Sequence, residues 1–64
     1  MDDAIVAYGE GHADGTAGRS DAARARNPQT GADYQVGLVD GQLAAFGDAL
    51  VAAIRKAMGD KLDG

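Results

Sequence analysis

Three arginines, Arg19, Arg24 and Arg26, lie within one short stretch, and Asn27 and Tyr34 follow closely. A guanidinium presents a planar fork of donors that matches phosphate oxygens, and a phenol ring offers a face on which a base can stack. These five residues therefore form a candidate RNA-binding site. The competing assignment is structural: the arginines flank a helix end and pair with Asp21 or Asp33. Neither assignment involves catalysis.

The remaining chemistry-bearing residues point to no enzyme. His12 could titrate near neutral pH, but one turn from Tyr8 it reads as a half-buried helix residue. Asp14 and Asp40 recur at matching places in a repeat, yet no nucleophile or oxyanion donor accompanies them, so they read as solvated helix positions. "GEGHADG" holds a G-x-G, but no strand precedes it, which removes the nucleotide-fold meaning. With no cysteine and one histidine, the chain offers no metal site of its own, and no cofactor or small-molecule substrate is indicated.

Positioning these residues is the task of a 64-residue chain, near the lower limit at which a single domain folds alone. Its net charge of −4 disfavours broad nucleic-acid binding, although Arg19 to Gly31 carries three arginines against one acid. No apolar run approaches the roughly 20 residues that cross a bilayer, and "MDDAIVAYGE" is acidic where a secretory signal is basic. The expectation is a soluble cytoplasmic protein without a membrane partner.

Alanine is abundant and no period-two alternation occurs, so the fold class is all-α. The pattern predicts a first helix over 3–17, opened by Asp2 and Asp3 and closed by Gly18 in a left-handed cap. A linker over 18–31 follows, in which Ser20 caps a short turn through Ala25 that stops before Asn27-Pro28. A longer second helix is expected over 32–58, opened by Thr30 and Asp33 as a capping box and ended by Gly59, with a short tail over 59–64.

The motif Y-x-x-G-x-x-D-G occurs at Tyr8 and again at Tyr34. Interior glycines cost a helix roughly 1 kcal/mol each relative to alanine, and close backbone approach can offset that cost. The stripe of Tyr8, Gly11, Gly15 and Gly18 therefore packs on that of Tyr34, Gly37, Gly41 and Ala44. The expected form is an antiparallel two-helix hairpin, with Gly11 facing Gly41, Gly15 facing Gly37, Tyr8 over Ala44 and Tyr34 over Gly18. A second stripe (Val36, Val39, Leu43, Phe46, Leu50) repeats every seven residues about 200° away, extended by Ile54 and Met58 beyond the end of the first helix. Unless the hairpin rotates to cover part of both stripes, this face marks a homodimer, a larger helical bundle or a partner-protein interface.

The stretch "GHADGTAGRS" resembles the ribosome modulation factor family, whose first helix carries G-x-x-x-G-x-A-G-R-S: Gly11, Gly15, Ala17, Gly18, Arg19 and Ser20 match. Pro28 is similar to the proline of that family's linker, and Tyr34-x-x-Gly37 to its aromatic-x-x-Gly second-helix start, so the likeness covers about 8–43. It implies two helices joined by an extended linker and a non-enzymatic factor docking on small-subunit ribosomal RNA to modulate translation, with Arg19 the first residue to carry over. The basic arm typical of the family is replaced here by "MDD", the aromatic after the first glycine by His12 and the aromatic after the linker proline by Gln29; the chain also runs on past the usual end, from Phe46 to Gly64.

Overall fold

The computed structural model describes residues 2–63, with side chains described through Gly59. Three helices occur among them and no strand: α1 (Asp3–Thr16), α2 (Ala22–Ala25) and α3 (Gly31–Asp63). Asp2 caps α1, its carboxylate accepting from Ala4 N at 2.9 Å. Gly18, at φ 73°, takes the left-handed conformation that ends the helix, as its sequence position predicted.

The two long helices meet at their glycines. A Cβ on Gly11 would collide with the Tyr34 carbonyl oxygen and lie 2.8 Å from Leu38 N; one on Gly37 would collide with the Tyr8 carbonyl oxygen and lie 3.0 Å from His12 N. Higher up, Gly15 abuts the Leu38 carbonyl oxygen and Gln42 N, while Gly41 abuts the His12 carbonyl oxygen and Thr16 N. Contacts on α3 thus advance as contacts on α1 advance. The helices run parallel, related by a pseudo-twofold axis along their length that carries Tyr8, Gly11, Asp14 and Gly15 onto Tyr34, Gly37, Asp40 and Gly41.

This direction corrects the antiparallel expectation and its facing pairs. The two-glycine repeat is compatible with a pseudo-twofold axis either along or across the helices, so it does not choose between them. The connection does. Gly31 lies level with the first turn of α1, so the chain must return about 18 Å after Ala17, well within the reach of the 14 residues from Ala17 to Thr30. Gly18 and Ala44 are exposed and take no part in the seam, and Tyr8 and Tyr34 reach carboxylates instead of small residues.

The remaining boundaries differ in detail. Asp21, not Ser20, caps α2, accepting from Ala23 N and Arg24 N. Before α3 the Asn27 side-chain oxygen accepts from Gln29 N and Thr30 N, in place of a Thr30–Asp33 capping box. Gly59 lies inside α3, which continues to Asp63, so most of the expected tail is helix; Gly64 lies outside the described residues. Gly59 has φ in the helical range and no substitute residue to force a turn, so nothing at that position compels a stop.

In this register α1 ends opposite Gln42, and α3 projects alone from Leu43 onward. The result is a rod of 55 × 22 × 12 Å. Replacing Gly11 or Gly37 with alanine is expected to lower stability by about 1–3 kcal/mol through steric conflict at the seam. Gly9→Ala, with open space around it, should raise it by up to about 1 kcal/mol. Thermal unfolding followed by circular dichroism checks both; equal destabilisation by all three would contradict the seam.

Candidate functional site

The helix pair is latched by two symmetry-related side-chain bonds. The Tyr8 hydroxyl donates to Asp40 Oδ2 at 2.6 Å, and the Tyr34 hydroxyl donates to Asp14 Oδ2 at 2.6 Å. Asp14, half-buried, and Asp40, still exposed as a solvated helix position, are therefore also inter-helix acceptors. Both phenols are held above the usual tyrosine pKa, first by the bond to the carboxylate and then by burial. His12 is half-buried, its ring 6.2 Å from that of Tyr8.

The connection breaks the symmetry. It descends the groove on the Tyr34 side, where Asp21 N donates to the Tyr34 hydroxyl at 2.8 Å and the Gln35 side chain donates to the Ala25 carbonyl at 2.9 Å. Tyr34 is left 1 % exposed, whereas Tyr8, on the uncovered side, is 38 % exposed.

This arrangement disperses most of the expected RNA-binding set. Tyr34 is buried with its hydroxyl engaged on both sides, so it offers no face for stacking. Arg24 is paired, Nη1 with Glu10 Oε2 at 2.7 Å and Nε with Asp21 Oδ2 at 3.5 Å. The Asn27 side-chain oxygen is committed to the backbone. Arg19 stays 71 % exposed, with one long contact of 3.7 Å to Asp14, and Arg26 is exposed and makes no ion pair among the described residues. Two guanidiniums thus remain available. Pairing of Arg24 with Asp21 was legible in the sequence, while its contact with Glu10 depends on the parallel register.

The second surface is the far face of α3. Val36, Val39, Leu43, Phe46, Leu50, Ile54 and Met58 are all exposed, Phe46 at 66 %, on the side of the helix opposite α1. A shallow depression lined by Ala32, Gln35, Val36, Val39 and Asp40 begins this face. Gly31–Gly59 is also long and apolar enough to cross a membrane by length and composition, which the expectation of no such run had missed. Asp40 and Asp48 stand within that segment, and each carboxylate near a bilayer centre costs about 2.5–3.5 kcal/mol. Among the described residues no three His, Cys, Asp or Glu side chains are grouped to hold a metal ion.

Fold and surfaces together define a parallel two-helix unit with a packed connection and an overhanging apolar helix. No known family model, curated protein or solved structure matches this chain.

The raised phenol pKa values set a pH dependence. The unfolded chain loses its tyrosine protons near pH 10, while the folded chain retains them to higher pH, so this stabilisation is complete below about pH 10 and is lost as pH rises through the folded values. Thermal midpoints should fall above about pH 10, and less steeply in Tyr34→Phe. At neutral pH, Tyr34→Phe should cost about 1–3 kcal/mol, because Asp21 N and Asp14 lose a partner in a covered groove; Tyr8→Phe should cost less.

Proposed function

We propose that this chain is a non-enzymatic binding module that docks on protein through the exposed apolar face of α3. The observation that carries this reading is the overhang: among the described residues no element covers α3 from Leu43 onward, yet Leu43, Phe46, Leu50, Ile54 and Met58 stay on one side of it. Hydrophobic groups aligned over about four turns are costly to leave in water and supply the central apolar contacts of a helix-in-groove or helix-pair interface. Ion pairing of the connection and the acidic balance favour this reading over broad nucleic-acid binding. It requires no cofactor.

A ribosome-associated role of the ribosome modulation type is the second reading. It is favoured by the places of the signature residues. Gly11, Gly15 and Gly37 each occupy a point where a Cβ would strike the opposing backbone, and Gly18 has positive φ, so the resemblance follows the stereochemistry of the fold rather than glycine content alone. With those positions accounted for by packing, Arg19 is the exposed charged residue of the signature, and Arg26 lies on the same connection. In this reading the two arginines contact ribosomal RNA phosphates and the apolar face supplies a protein contact; the activity would belong to the cytoplasm.

The readings separate by experiment. Under the first, Phe46→Asp abolishes capture of a defined protein partner while Arg19→Ala/Arg26→Ala leaves it intact. Under the second, the wild-type chain co-sediments with small ribosomal subunits at low salt, and the double arginine variant loses most of that association. Absence of co-sedimentation in low salt removes the ribosomal reading; partner capture unaffected by Phe46→Asp removes the first.

A further inference from the structure

The geometry points to a second copy of this chain as the occupant of the apolar face, in an antiparallel dimer of α3 helices whose twofold axis passes beside Phe46. This deepens the docking reading and rests on it. Three features of the molecule select this occupant.

The first is area. A compact monomer of 6.5 kDa exposes roughly 3,800 Å² by the scaling of surface with mass, whereas this chain exposes 4752 Å². The excess, roughly 900 Å², is close to the ~800 Å² per partner of a stable interface. Only Ala7 and Tyr34 are buried among the apolar residues described, so most of the large apolar surface of α3 is still open to water.

The second is register. Pairing the stripe with an inverted copy of itself about Phe46 sets Leu43 against Leu50, Val39 against Ile54 and Val36 against Met58, to within one residue, with Phe46 meeting its own mate. Each large apolar group of the stripe finds an apolar counterpart, while Ile5, Val6, Tyr8 and Val51 stay exposed outside the pairing. Because the stripe lies opposite the glycine seam, α1 stays on the outer side of each α3 and does not obstruct the contact.

The third is charge. The net charge of −4 resides in residues 2–40, whereas residues 41–64 carry three acids and three bases. A parallel dimer would bring two acidic bodies side by side. The antiparallel dimer places them at opposite ends, each near the Arg55–Lys56 region of its mate, where the sign of the field is favourable.

The test uses the full chain. Sedimentation equilibrium is expected to give about twice the 6.5 kDa chain mass, and Phe46→Asp to return it to the chain mass with the Tyr34 environment retained in near-ultraviolet dichroism. A nitroxide on Gly59→Cys, a position with open space around it in a chain without cysteine, reports the orientation. The antiparallel dimer places the two labels about 38 Å apart along the axis, and dipolar spectroscopy should show that separation. A dimer with labels within about 15 Å would overturn the arrangement. A monomer up to millimolar concentration would overturn the proposal outright, as would partition into neutral lipid vesicles in place of dimerisation. Capture of a different defined protein by a chain that stays monomeric would remove the dimer while leaving the docking reading in force.

Discussion

Four missing side chains hold this molecule together. At the crossing of α1 and α3 the Cα hydrogens of Gly11, Gly15, Gly37 and Gly41 point at carbonyl oxygens of the opposite helix, and no heavier substituent fits. Each such contact is worth about half a conventional hydrogen bond, and the larger effect is permissive: two backbones approach closely enough for the tyrosine–carboxylate bonds to span the seam. The helical propensity surrendered at the glycines is recovered only while both helices stay in register, so the seam, the latch and the return path of the connection form together.

The connection completes this unit on one side only. By lying along the Tyr34 groove it satisfies the second valence of that hydroxyl and engages the arginine that composition had offered to a ligand. The same charges therefore cannot be counted both as free cations and as structural partners. Arg24 is spent on Glu10 and Asp21, surface pairs of about 0–1 kcal/mol that set the path of the chain more than its stability. What remains exposed is a lightly charged strip at Arg19 and Arg26 and a far larger apolar face on α3.

The glycine repeat, both long helices, the Gly18 cap and the uncovered stripe were legible because each depends on local spacing or on one residue's steric limits. Helix direction was not. A repeat of identical order is satisfied by a twofold axis along or across the helices, and only the length and docking of the connection separate the two, which local pattern does not encode. The bonds made by Asp14, Asp40 and Tyr34 were illegible for the same reason: their partners lie 20 to 32 positions away and are chosen by register. Gly59 misled differently, as glycine permits a helix to end without requiring it to do so.

The free half of α3 raises the last physical question, how a helix from Leu43 to Asp63 persists with nothing packed against it. Isolated helices of this length are marginal in water even when rich in alanine, and Gly47 and Gly59 lower the propensity further. Continuity with the anchored segment removes the nucleation cost, since residues 31–42 already supply helical turns from which the ladder propagates. Propagation alone, however, leaves the distal turns free to fray, and it gives no reason for large apolar groups to recur on one side. The lateral partner proposed above would supply both, because burial of that side stabilises every turn it covers. If the proposed partner occupies the face, helicity of the distal half should depend on it, whereas helicity around the glycine seam should not.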